Sequence, residues 1–296
     1  MRDAFYRAVG SLLDEDPRTA LILADISAGP LSGVLSRHPD RAINVGIREQ
    51  LMISVAGGMA LTGLRPIAHT YATFLIERAW EQIKLDIAHQ QVNAVLVSVG
   101  ASYDASTAGR THHSPGDVAL LDTLDGWTVR VPGHPDEVGP LLRQSVGHGG
   151  PVYLRLAEDR NDHPNATDGR LVEVHTGHRA LVIAVGAMLG PVLEATADLD
   201  VTVAFTNTPR PWDVEGTRRL ATTPLVIVVE PYLAGTSARV VSDALSDVPH
   251  RLIGLGVARH DTHRYGTRAD HHRAHGLDPA GLRASITRAI DGNGGR

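Results

Sequence analysis

Glu49 stands where a carboxyl can share a proton. It follows Gly46 by three residues and lies in the opening turn of a stretch, 47–61, whose spacing and apolar content predict a helix. Burial disfavours the charged form of a carboxyl and a helix N-terminus favours it, so a group subject to both can be poised to exchange a proton. Taken alone, the helix dipole accounts for the same residue. Tyr71 and Phe74 lie three apart and offer rings that can stack on a planar ligand or pack in a core. His112 and His113 bring imidazole, which can donate, accept or carry a proton near neutrality. Asp25-Ile26 follows a short apolar run, a place where a carboxylate can reach a ligand or simply cap a loop. His271, His272 and His275 include an i, i+4 pair that could hold a metal, but no further ligand motif accompanies them, so no metal site is assigned. A polar helix face is the expectation there.

The elements that must position these residues alternate short β-branched runs with amphipathic stretches, which predicts an α/β fold with mainly parallel sheets. A helix is expected over 2–15 and a buried strand over 20–24. Helices are expected at 47–61 and 75–89, the second with Ile76, Ile83 and Ile87 on one side and Glu77 and Lys84 on the other. Small residues at 56–60 should let the first of these pack closely on a neighbour. Strands are expected at 93–99, 127–131 and 152–156. Residues 157–170 are almost without apolar side chains and read as a linker. Beyond it, 180–186, 201–205 and 225–229 predict a second sheet, with a helix near 237–245. The two expected domains are 1–160 and 171–296, and the last residues, 292–296, should fray.

Composition narrows the class. The chain has 296 residues, 43% hydrophobic and 21% charged, enough for two cores. A net charge of -5 without a basic stripe argues against a nucleic-acid partner. No apolar run reaches the length of a membrane span, and the N-terminus lacks a signal-peptide core. The chain has no cysteine, which removes disulfides and thiolate chemistry and suits a reducing cytoplasm, the expected location.

Three segments in register carry a resemblance: Asn44-Val45-Gly46-Ile47-Arg48-Glu49-Gln50, Tyr71-Ala72-Thr73-Phe74 and Thr111-His112-His113-Ser114, with the run from Phe74 to Gln82 after the second. Together they resemble the pyrimidine-binding domain of transketolase and of deoxyxylulose-phosphate synthase, with weaker similarity over nearly the whole chain. The resemblance implies a thiamine-diphosphate enzyme, a transketolase-like transferase of a two-carbon ketol unit. Glu49 would exchange a proton with the aminopyrimidine of that cofactor. Phe74 would stack on the ring, Tyr71 would line its pocket, and of the cofactor-binding pair Asp25-Ile26 the apolar member would wedge the cofactor into its bent form. His112 would reach the substrate.

The same resemblance points outside the chain. Such enzymes hold the diphosphate through Mg2+ in a domain with a Gly-Asp-Gly turn, and no Gly-Asp-Gly occurs here. A separate N-terminal-type transketolase subunit is therefore expected to carry that site and the metal ligands, most simply in a 2+2 heterotetramer. At the substrate end the pattern departs from the family: Ala108 stands for an Asp, Glu158 for a phosphate-binding Arg and Gly100 for a His. Arg2 matches a retained phosphate-contacting Arg, and Arg110 or Arg160 could compensate. A specialised substrate is expected, because losing a hydroxyl-reading carboxylate and placing another near a phosphate both alter specificity. The alternatives are the beta subunit of a 2-oxoacid dehydrogenase first component and a partner subunit without catalysis of its own.

Overall fold

A computed structural model describes residues 1–261, 263 and 265–292. Six strands form the first sheet: β1 (Thr19–Leu23), β2 (Ala42–Asn44), β3 (Arg65–Tyr71), β4 (Val95–Val99), β5 (Thr128–Arg130) and β6 (Val152–Arg155). Their order is β2-β1-β3-β4-β6-β5, and every pairing is parallel. Strands β1 and β4 are buried at every position, as a sheet covered on both faces requires. The order reverses direction between β1 and β3, so a crevice opens beyond the carboxyl ends of these strands, where α/β sheets bind ligands.

Five strands form the second sheet: β7 (Val172–His175), β8 (Leu181–Val185), β9 (Thr202–Thr206), β10 (Leu225–Leu233) and β11 (Arg251–Val257). The order is β11-β10-β8-β9-β7, with only the edge strand β7 antiparallel. The fold is thus α/β with mainly parallel sheets. Strands β2, β3, β7 and β11 are additions to the sequence expectation. Strand β3 holds Arg65, Pro66, His69 and Thr70, which break its apolar run, and β7 is largely exposed.

The helix over Arg2–Glu15 forms as expected, and the one opening at Glu49 runs to Leu61. Gly57 lets that second helix approach closely, since a β-carbon there would lie 2.7 Å from the carbonyl oxygen of Asp86. The helix expected over 75–89 is different. It is π-helical over Thr73–Arg78, makes one α-helical turn at Trp80–Gln82, and is π-helical again over Ile83–His89. Ile76, Ile83 and Ile87 are buried as the pattern implied, so the widened turns keep the apolar side on the core. Single π turns inside helices frequently mark functional sites.

Residues 157–170 do join the two sheets, but they are tied down. Buried Asn161 donates its backbone N–H to the Gly133 carbonyl (2.8 Å), and its side chain bridges the Gly186 carbonyl and the Gly190 N–H at 3.1 Å each. One apolar core passes between the sheets, packing Val129 and Val131 with Leu181, Ile183 and Val226. Gly292 ends the last helix by donating to the Arg288 carbonyl at 3.0 Å; the rest of the run expected to fray, 293–296, lies outside the described residues.

Candidate functional site

The carboxyl ends of β1 and β2 are tied by one side chain. Asn44 Oδ1 accepts the backbone N–H of Asp25 at 2.9 Å and that of Gly46 at 3.1 Å. Gly46, at φ +72°, turns the chain into the helix that starts at Glu49. Glu49 is only 1% exposed, and its Oε2 accepts a hydrogen bond from Arg78 Nη1 at 2.7 Å. Asp25 and Ser27 both hold left-handed φ values, 68° and 69°, which non-glycine residues seldom adopt. Strain of this kind clusters where ligands are clamped. Ile26 stands between them, half-buried against the core.

The aromatic residues gather at the end of β3, and Arg78 links them to Glu49 by lying over the Phe74 ring. Tyr71 ends β3 and Phe74 lies in the π-helical turns that follow, with ring centroids 6.1 Å apart and edge to face. The His112 ring lies edge to face with both, 5.1 Å from Phe74 and 5.9 Å from Tyr71. Thr111 Oγ1 hydrogen-bonds His112 Nδ1 at 2.9 Å and helps fix the imidazole. Gly100, at the end of β4, is at φ +70°, and a β-carbon on it would sit 2.1 Å from Tyr71 Cδ1. The tyrosine ring therefore fills the space that a side chain at position 100 would need.

A cavity of about 210 Å3 lies along the ends of β3, β4 and β6, lined by Arg2, Tyr71, Gly100, Asp104 and Glu158 among others. Arg2 reaches it while bonded to Tyr6 Oη and, at 3.1 Å, to Ser27 Oγ. The Tyr6 hydroxyl also bonds Ser27 Oγ, at 2.8 Å. Behind it, buried His69 donates Nδ1–H to the Val97 carbonyl, which leaves Nε2 to accept from Ser27 Oγ at 2.9 Å. Burial pushes the His69 imidazole down to about 4, so it is neutral at pH 7 and does not repel Arg2. Asp104 is raised to about 7, mainly by burial and then by the negative charge of Asp159.

Two substrate-end expectations change. Glu158 does not stand unpaired against a phosphate, because Arg268 bonds both Glu158 and Asp159, the latter at 3.1 Å. A neutralised carboxylate repels an anion far less than a free one. Arg110 is turned away from the cavity that Arg2 lines: 60% exposed, it faces Asp261 at 3.5 Å beside Glu77 and His113. Arg160 lines a neighbouring cavity of about 200 Å3 between the sheets, with Arg155, Asp159 and Arg268. Glu77 accepts from Ser114 Oγ at 3.0 Å, and its carboxyl is raised by burial, an effect that this bond opposes.

The C-terminal histidines do not form a polar face. His271 is 1% exposed and stacks on Tyr103 at 4.2 Å and 3°, while His275 Nε2 bonds the Tyr103 hydroxyl at 2.9 Å. Their helix is docked on the first sheet's loops, which only a tertiary contact could reveal. Among the described residues no group of three or more His, Asp or Glu is placed to hold a metal ion. Nearby, Asp117 Oδ2 accepts from Arg155 Nε and from the Tyr153 hydroxyl, each at 2.7 Å, with both charged partners fully buried. Arg155 also reaches Ser102 Oγ at 2.7 Å, and Ser102 donates to the Pro231 carbonyl of the second sheet. This pair fixes the site's loops against β10.

Sequence reasoning singled out neither Arg78, Asp104 nor Arg268. Arg78 carried one available signal, its spacing of four from Phe74 on a helix.

The site thus brings a buried glutamate at a helix start together with aromatic rings at the carboxyl edge of a parallel sheet. Residues 1–162 match the family described as "Transketolase, pyrimidine binding domain", and the chain belongs to that family. Over nearly its whole length the chain is also similar to subunits of split transketolases. It is 27% identical to a subunit of the apulose-4-phosphate transketolase of Actinobacillus succinogenes, over 94% of this chain and 93% of that one. It is 28% identical to the 6-deoxy-6-sulfo-D-fructose transketolase subunit SqwH of a Clostridium strain, over 86% and 84% of the two chains. A solved structure described as "Split gene transketolase, inactive beta4 tetramer" superimposes with a TM-score of 0.84 at 25% identity, covering 98% of this chain and 97% of that one.

Proposed function

We propose that this chain is the pyrimidine-binding subunit of a thiamine-diphosphate enzyme that transfers a two-carbon ketol unit, with domains at 1–160 and 171–296. The single observation that carries this is Glu49, a buried carboxylate beside the Phe74 ring at the switch point of the sheet. The residues suit the cofactor's aminopyrimidine chemically: Glu49 offers a carboxylate for a ring nitrogen, Phe74 an apolar face, and Tyr71 and Ile26 flanking walls. When bound, the cofactor supplies a nucleophilic carbon and an electron sink for cleaving a bond next to a carbonyl. Glu49 holds and returns the proton at the ring nitrogen. His112, whose ring edge meets Phe74, would hand a proton to a substrate oxygen. The buried Asp117–Arg155 pair keeps the surrounding loops from shifting.

Diphosphate and Mg2+ binding are assigned to a separate subunit carrying a Gly-Asp-Gly turn, in a 2+2 assembly. The names of the relatives, which are subunits of two-part enzymes, support a partner. So does apolar surface beside the site: Ile47 is 71% exposed and Leu51 is 44% exposed, on either side of Glu49 in sequence. Arg2 and Asp104, which line the cavity, would read the substrate's far end, with Arg2 as the anion contact.

The test is reconstitution with such a subunit and measurement of ketol transfer. Glu49→Gln should leave the assembly intact and lower turnover by orders of magnitude, since an amide cannot shuttle the proton. Near-normal turnover of that variant would sink the assignment of Glu49.

A further inference from the structure

One side chain already engages both residues on which the cofactor assignment rests. Arg78 donates Nη1–H to Glu49 Oε2 at 2.7 Å, and its Cζ lies over the Phe74 ring, 4.1 Å from the centroid. The π-helical turns Thr73–Arg78 carry both Phe74 and Arg78 and aim the guanidinium back over the ring. A guanidinium is planar, cationic and edged with N–H donors, and it stacks on aromatic faces. An aminopyrimidine that shares a proton with a carboxylate is likewise planar, with an N–H donor at its edge. The same two protein groups satisfy either one.

We propose that Arg78 is a built-in stand-in for the aminopyrimidine ring, closing the pocket in the ligand-free chain and withdrawing when the cofactor enters. The proposal rests on the thiamine-diphosphate assignment above. It explains why a carboxylate that is 1% exposed is stable without a ligand, since an unpaired buried charge is strongly destabilising. The Arg78 side chain is 39% exposed, so it has a way out to solvent that leaves the core closed. Occupancy by Arg78 lowers the apparent affinity for the ring by the fraction of time the pocket is free; a pocket nine-tenths closed costs about tenfold.

The full chain can be tested without a partner, using 4-amino-5-hydroxymethyl-2-methylpyrimidine, the ring fragment alone, in a calorimetric titration. Arg78→Gln should bind this fragment about tenfold more tightly than the unmodified chain. Arg78→Lys should gain less, because an ammonium still pairs with Glu49 but presents no plane to Phe74. The denaturant midpoint of Arg78→Gln should fall, and the fragment should restore it. Equal or weaker fragment binding by Arg78→Gln and Arg78→Lys, each folded by circular dichroism, overturns the stand-in. Glu49→Gln separates this from the assignment beneath it. If that variant loses fragment binding while the Arg78 variants show no gain, the pyrimidine site stands and only the stand-in falls. If the fragment binds no form of the chain, or binds Glu49→Gln normally, the site assignment fails and the stand-in fails with it.

Discussion

Gly100→Ala separates two costs that the structure assigns to different causes. Position 100 is at φ +70°, where a β-carbon meets the following carbonyl oxygen; that conformation costs about 1–2 kcal/mol for an L-residue. The added carbon would also lie 2.1 Å from Tyr71 Cδ1 and 2.7 Å from Cε1, so the ring must move. Overpacking of this kind costs typically about 1–3 kcal/mol. The expected loss is therefore roughly 2–5 kcal/mol, read from urea unfolding midpoints at constant slope. In a Tyr71→Ala background the ring is gone and only the backbone cost of about 1–2 kcal/mol should remain. The difference between the two backgrounds measures the clash alone. Equal losses in both would refute Tyr71 as the group that fills this space, and a loss below about 0.5 kcal/mol in the first would refute both costs. The ring cannot shift without disturbing Phe74 and His112, so the same substitution should weaken binding of the ring fragment.

Asp117→Ala should destabilise the chain by roughly 3–5 kcal/mol, because it leaves the Arg155 guanidinium buried at 1% exposure without its carboxylate. Asp117→Asn should cost less, and a thermal melt showing no loss for Asp117→Ala would contradict the buried pair. For Asp104 the sign follows from a folded pKa raised from 3.8 to about 7. The folded state then holds a proton that the unfolded chain has released, so this contribution is complete below pH 3.8 and is lost as pH rises through about 7. Relative to Asp104→Asn, the unmodified chain should lose stability between pH 4 and pH 7; a pH-independent difference between the two would rule out the raised carboxyl.

Much of the fold and of the candidate site was legible from local signals. The runs of β1, β4 and β8 are apolar but for Thr19 and Ser98, which is how strands covered on both faces read. Glu49 could be picked out because a glycine turn and an apolar helix surround it in sequence. Strand β3 was hidden because His69 and Thr70 interrupt its apolar pattern, although both are fully buried. The widened turns after Phe74 were equally hidden, since Ile76, Ile83 and Ile87 are buried there just as a regular helix would bury them.

By itself, then, the sequence determined the alternation of strands and helices and the residue types at the ends of β1, β2 and β3. These follow from backbone propensity and hydrophobic period, which act between near neighbours. Tertiary structure alone decided which charges are free. Glu158 meets Arg268, Asp117 meets Arg155 and His271 meets Tyr103 across 110, 38 and 168 residues of chain. Coulomb energy and desolvation depend on distance through space, so a carboxylate that looks exposed and repulsive in sequence can be neutralised by a partner brought to it by the fold.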